Sequence, residues 1–175
     1  PDNLEALAAV REKSPVAISA GERLYGRRAF LELFERRAAD YIQPDISHAG
    51  GIMELKKIAA MAEAKHIPIS FHNPSGPISN AAILQLAAAT PNFLIHEIMI
   101  NDGSFRKKIT NEEVIFEDGC ILINDKPGLG IDVNIEAVES RPYHPINLRH
   151  YTGNLTEIRP KDDTIFYFKG IGENK

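Results

Sequence analysis

Four side chains of types that exchange protons or bind hard cations recur at regular intervals: Glu22 after PVAISAG, Asp45 after DYIQP, His72 after IPISF and Glu97 after NFLIH. Each closes a short apolar run of strand character. The intervals of 23, 27 and 25 residues match a strand, a helix and two short loops, so the chain reads as consecutive βα units. In a parallel α/β barrel the C-terminal strand ends gather on one face, where such folds carry their active sites. Three carboxylates and one imidazole are then expected around a single mouth.

The elements that must position them follow from periodicity. Asn3 is placed to cap a helix over 4–13, with Leu4, Leu7, Ala8 and Val10 on one stripe. A buried strand is expected over 16–20. A second helix is expected over 27–37, with Phe30, Leu31 and Phe34 at helical spacing. Residues 40–43 read as the second strand. Gly50 and Gly51 open a helix over 52–65 that is rich in Ala, Leu, Met, Lys and Glu. Residues 68–71 read as the third strand. A nearly all-apolar helix over 80–89 implies burial on several sides, and Pro91 stops it. Residues 92–96 form the fourth strand.

Beyond Asn101 the pattern changes. Residues 114–116 and 121–123 flank Asp118-Gly119, a type I′ hairpin signal. The Gly/Pro-punctuated KPGLGI and a short helix over 135–140 come next, then a proline-marked tail with short β-like runs. Two regions are therefore expected, βα units over 1–100 and a C-terminal extension over 101–175.

Composition narrows the function classes. With 175 residues, 43% hydrophobic and 25% charged, the chain has the makeup of one soluble globular domain. A net charge of -4 offers no attractive field to nucleic acid or an anionic membrane. Apolar runs are interrupted well short of the roughly 20 residues of a membrane helix, and no signal peptide is recognised at the start. Cys120 is the single cysteine, which excludes an internal disulfide framework or cysteine metal cluster and makes reduced cytoplasm the expected compartment. His66, His96, His144 and His150 read as surface or packing residues, and Arg106-Lys107-Lys108 as a solvated face. Gly50-Gly51 and Gly76 read as turn and close-approach glycines. KPGLGI does not lead from a strand into a helix, so it is no nucleotide loop.

Four strands cannot close a parallel barrel, which takes eight. The chain also opens on a helix with no strand before it, the form of a C-terminal fragment or of one part of a split protein.

The segments SAGERLYGRRAF, YIQPDISHAGGI, MAEAKHIPISFHNPSGPISNAA, FLIHE and KPGLGID together resemble the C-terminal half of enolase-superfamily enzymes of the mandelate racemase type. They are most similar to the sugar-acid dehydratases, such as galactonate dehydratases. The resemblance runs from about residue 1 to 135, and NLRHYTGNLTEIRP in the tail resembles dehydratase members as well. It implies an α/β fold: the C-terminal half of a TIM-like (β/α)-barrel plus a β-rich tail that packs on a capping domain outside this chain. Position by position, it implies that Glu22 is the third carboxylate ligand of an essential Mg²⁺. Asp45 and His72 match an Asp-His acid/base dyad. Glu97 matches a last-strand carboxylic acid that, protonated, donates a hydrogen bond to the substrate carboxylate or enediolate. Arg23 and His48 receive no role.

The activity implied is Mg²⁺-dependent removal of the proton α to a carboxylate and loss of the β-hydroxyl, giving a 2-keto-3-deoxy sugar acid. The partners implied are a small sugar acid, the absent N-terminal half, and further copies in a homo-oligomer. The family's other two metal carboxylates and second-strand acid or base have no counterpart in these 175 residues, so the chain alone is expected to be inactive. A racemase or epimerase built on the same dyad is one alternative; a non-enzymatic half-barrel serving as an assembly piece is another.

Overall fold

In the computed structural model, which describes residues 3–99, 106–111 and 115–142, four parallel strands lie side by side in chain order. They are β1 (Ser19–Ala20), β2 (Tyr41–Ile42), β3 (Ile69–Phe71) and β4 (Phe93–His96). Helices alternate with them: α1 (Leu4–Lys13), α2 (Gly26–Glu35), α3 (Ile46–Ala49), α4 (Gly51–Glu63) and α5 (Pro77–Ala88). Sequential parallel order with helical crossovers is the topology of an open arc of a (β/α)-barrel. A short helix α6 (Arg106–Ile109), an antiparallel hairpin of β5 (Phe116–Glu117) and β6 (Cys120–Ile121), and α7 (Ile135–Glu139) follow. One compact unit spans Pro1–Glu139 and so includes the hairpin and α7. The β-like runs expected in the proline-marked tail beyond residue 142 lie outside the described residues.

The core forms where helices cover the sheet. Phe30, Leu33 and Phe34 of α2, Leu55, Ile58, Ala59 and Ala62 of α4, and Ile83 and Leu86 of α5 close on Ile42, Ile69 and Phe71. Each large apolar side chain so buried contributes about 1.5–3 kcal/mol relative to exposure. All three β3 residues are buried, as expected of a central parallel strand covered on both faces. At the arc's other side β4 leaves Leu94 and Ile95 exposed.

Several boundaries differ from the sequence expectation. Strand β1 is two residues, and Val16 is 68% exposed, because this edge has no neighbouring strand among the described residues. On α1, Val10 is exposed while Leu4, Leu7 and Ala8 pack on the core. On α2 the inward residue is Leu33, and Leu31 points to solvent. Helix α3 was not expected at all. The hairpin is as expected: Asp118 (φ 48°) and Gly119 (φ 77°) both lie at positive φ, the condition for a type I′ turn.

Local interactions hold the arc's two ends. Asn3 caps α1 by accepting from the Ala6 amide at 2.9 Å. Beyond the N-terminal ends of β1 and β2, Asp40 accepts from Arg11 at 2.6 Å and from the Ile18 amide at 2.9 Å. Arg11 holds the Asp40 carboxyl below its usual range, and Asp40 in turn raises the Arg11 guanidinium. At the opposite end Glu54 of α4 accepts from the Arg27 amide at 2.8 Å, giving the first turn of α2 the acceptor that Tyr25 does not supply.

Candidate active site

The four spaced residues meet. Glu22 follows β1, Asp45 follows β2, His72 follows β3 and Glu97 follows β4, and His72 stands at their centre. Its Nδ1 is 2.8 Å from Asp45 Oδ2, its Nε2 is 3.2 Å from Glu22 Oε2, and the same Nε2 is 3.8 Å from Glu97 Oε2.

Backbone pairing carries this geometry past the ends of the strands. Asp45 and His72 form a parallel bridge, and the His72 amide donates to the Pro44 carbonyl at 3.2 Å. The Glu97 amide donates to the Phe71 carbonyl at 3.1 Å. Between β3 and β4 the register shifts at Ile69/Ser70, so Phe71 pairs with His96 and Glu97 falls beside His72.

Asp45 has two duties, which its two oxygens divide. Oδ1 accepts from the Ser47 amide at 2.7 Å and the His48 amide at 3.2 Å, making Asp45 the N-cap of α3. Oδ2 faces His72 Nδ1. The residue is 1% exposed, and its charge is met by two amides and an imidazole. A carboxylate only accepts, so Nδ1 carries a hydrogen and Nε2 is the nitrogen turned to the mouth. Glu22 and Glu97, with side chains 52% and 45% exposed, form the wet rim around it.

Sequence reasoning assigned nothing to several residues that hold the site. His48 places Nδ1 3.2 Å from the Glu22 carbonyl, tying the Glu22 loop to α3. The Asn73 amide donates to Glu97 Oε2 at 3.2 Å. Asn80, on the otherwise apolar α5, is 3% exposed and its Oδ1 lies 2.7 Å from His96 Nε2. The signals available were the polar Asn80 inside an apolar helix and Ser47 and His48, two and three residues after Asp45. Burial drives the His96 pKa down to about 4, against opposing influences of the Glu97 charge and the Phe71 backbone. His66 is exposed in a left-handed turn (φ 57°), as a surface residue; His144 and His150 lie outside the described residues. A Cβ on Gly76 would meet nothing within 4 Å, so the close approach expected there is absent.

A family model described as enolase C-terminal domain-like matches residues 1–138. This chain belongs to that family. As a member of the enolase superfamily of mandelate racemase type, it corresponds to the C-terminal portion of the barrel. Among curated relatives, a D-xylonate dehydratase of Haloferax volcanii is 34% identical over 140 residues, which cover 80% of this chain and 34% of the relative. A D-galactonate dehydratase of Pectobacterium atrosepticum is 40% identical over 130 residues, covering 71% and 34%. Among solved structures, a mandelate racemase/muconate lactonizing enzyme-like protein from Rubrobacter xylanophilus superposes with a TM-score of 0.76 at 38% identity, covering 82% of this chain and 37% of the other. A putative galactarate dehydratase from Agrobacterium radiobacter, bound to sodium and L-malate, gives 0.78 at 31% identity, covering 85% and 41%. The chain thus spans about a third to two fifths of the relatives it matches.

The Mg²⁺ that this superfamily uses can be tested against the donors present. Glu22 is a hard, half-exposed carboxylate of the right chemistry. Among the described residues, however, no group of three or more His, Cys, Asp or Glu is arranged to hold a metal ion. Glu22 by itself does not make such a site. No helix among the described residues is long and apolar enough to cross a membrane.

Proposed function

We propose that this chain supplies the acid/base half of a sugar-acid dehydratase, with the remaining strands and metal ligands provided by polypeptide outside these 175 residues. The observation that carries the reading is the Asp45–His72 pair, 2.8 Å apart, with His72 Nε2 directed at the mouth between Glu22 and Glu97. The dehydratase names of relatives 34–40% identical support the substrate class, a polyhydroxy carboxylic acid.

In this reading Asp45 orients the imidazole and favours the tautomer that leaves Nε2 basic. His72 Nε2 exchanges the proton moved in the reaction, either at the carbon α to the carboxylate or at the departing β-hydroxyl. Loss of the α-proton and of hydroxide, with one proton returned to the latter, releases water. The resulting enol ketonises to a 2-keto-3-deoxy acid. Glu97 stands at the mouth beside the substrate carboxylate, with its Oε2 held by the Asn73 amide. Glu22 contributes one ligand to Mg²⁺, which when bound supplies Lewis-acid stabilisation of an enediolate.

The test uses the complete enzyme, meaning this chain joined to the polypeptide that completes the barrel. Turnover of D-xylonate and D-galactonate is followed by appearance of the 2-keto-3-deoxy acid in the parent and in His72→Asn. Mg²⁺-dependent product in the parent and loss of about 10²–10⁴-fold in the variant is expected. Exchange of the α-proton with solvent deuterium without dehydration would replace this reading with racemisation or epimerisation, which the same dyad could perform. The 175-residue chain alone is expected to show no turnover.

A further inference from the structure

We infer that His96, Asn80 and Asn73 form a buried positioning network that fixes Glu97 relative to His72. The inference deepens the proposed dehydratase site and rests on that reading for its catalytic consequence.

The network's members adjoin the site in sequence and bond to one another in space. Asn73 follows His72 directly, and His96 precedes Glu97 directly. Along a strand, neighbouring side chains point to opposite faces, so His96 leaves the mouth to Glu97 and turns toward the helical layer. There Asn80 of α5 receives it. Asn80 Oδ1 lies 2.7 Å from His96 Nε2 and also accepts from Asn73 Nδ2 at 3.4 Å. Ser79 Oγ donates to Asn73 Oδ1 at 3.0 Å. The circuit returns to the site where the Asn73 amide donates to Glu97 Oε2 at 3.2 Å.

An apolar helix packed on a sheet has no need of an amide at this depth. Asn73 and Asn80 are 1% and 3% exposed, and burying polar groups disfavours the fold unless they are fully bonded. Here the bonding is incomplete. Asn80 Nδ2 and His96 Nδ1 are buried with no hydrogen-bond partner among the described residues. A simple α5 cap would use Asn73 and Ser79 alone; it does not explain the link on to His96. Because Asn80 Oδ1 can only accept, His96 must donate from Nε2, and a neutral ring then carries its lone pair on Nδ1, which is buried without a partner among the described residues. Burial favours that same neutral form. A neutral ring serves the purpose: it donates one directed hydrogen bond and adds no charge beside Glu97.

The site needs such a fixture because Glu97 is 45% exposed at its side chain and 3.8 Å from His72 Nε2. That separation is just beyond direct bonding, so His72 cannot hold it. Errors of about 1 Å in placement can cost roughly 100-fold in rate.

Two variants separate hydrogen bonding from packing. His96→Phe keeps a partly buried ring and removes the donor; His96→Gln keeps an N–H able to reach Asn80. In the complete enzyme, His96→Phe is expected to lower kcat by roughly 10–100-fold with KM within about threefold, and His96→Gln to recover most of the loss. Independently of turnover, ¹H–¹⁵N NMR of the complete enzyme is expected to show a displaced Asn73 backbone amide resonance, the donor to Glu97 Oε2, in His96→Phe and a parental one in His96→Gln. Equal effects of both substitutions, or an unmoved Asn73 amide resonance in His96→Phe, would overturn the network. If His96→Phe does not fold, Asn80→Ala removes the acceptor and is read in the same way. If the parent turns over no sugar acid while the NMR shift appears, the dehydratase reading fails and the network stands.

Discussion

Asp45 and His72, at the ends of adjacent parallel strands, are coupled twice: by a backbone bridge and by the 2.8 Å contact of Oδ2 with Nδ1. The other Asp45 oxygen caps α3. The residue that orients the imidazole thus also anchors the helix lying against α4 and α5.

That division of labour separates two substitutions. Asp45→Asn can keep the α3 cap through its amide oxygen while presenting N–H groups to His72. The ring must then accept at Nδ1 and hold its hydrogen on Nε2, the wrong tautomer for a base. Turnover by the complete enzyme should fall by roughly 10²–10⁴-fold with the urea midpoint nearly unchanged. Asp45→Ala should lose activity similarly and also about 1 kcal/mol of stability with the cap. Equal stability of the two variants would show that the cap contributes nothing.

The same double role explains what could and could not be read from the chain. The βα alternation, the parallel order and the convergence of Glu22, Asp45, His72 and Glu97 followed from spacing, because one βα unit has a nearly fixed length. Helix α3 escaped because four residues give no periodicity. Its markers were Asp45 as cap and Gly50 at φ 118° as terminator, and both had other readings. Val16 was expected inside because its run is apolar, yet a strand's burial depends on what lies beside it. In the sequence His96 reads as a surface or packing residue, because its partner Asn80 reaches it from an earlier helix, a pairing that no local pattern encodes.

Acid should weaken the fold in two stages. His96 has a folded pKa of about 4 against an ordinary value of 6.5, so the unfolded chain takes up its proton first. It imposes no penalty above pH 6.5, and stability falls progressively from there to about 4 as the unfolded state is protonated. Asp40 is also depressed, by its Arg11 hydrogen bond before all else. Its contribution is complete above its ordinary value of 3.8 and is lost as pH falls below that. Urea unfolding between pH 7 and 3 should show a slope from 6.5 downward that His96→Gln flattens. Asp40→Asn should leave that slope intact and remove only the loss below about 3.8. A stability profile flat from pH 6.5 to 4 in the parent would contradict the burial of a neutral His96.

Gly21 sets the entry of the Glu22 loop. Its φ of 130° lies where side chains are strained, and a Cβ there would stand 2.8 Å from Phe30 Cε1 and 3.2 Å from the Gln43 amide nitrogen. Phe30 is fully buried, so its ring can move only by disturbing Leu33, Phe34 and their neighbours in the core. The Gln43 contact is backbone on β2's exit and gives still less. Gly21→Ala should therefore cost about 1–3 kcal/mol from backbone strain, with a further loss from the Phe30 contact. The displaced segment carries Glu22, so the complete enzyme should also bind Mg²⁺ more weakly, in the manner of Glu22→Gln. Unlike Glu22→Gln, which removes a half-exposed carboxylate without touching the core, Gly21→Ala should lower the melting temperature as well. Titration calorimetry with Mg²⁺ alongside thermal unfolding of both variants distinguishes the two. A Gly21→Ala protein of parental stability would mean that the loop can reach Glu22's position without this left-handed turn.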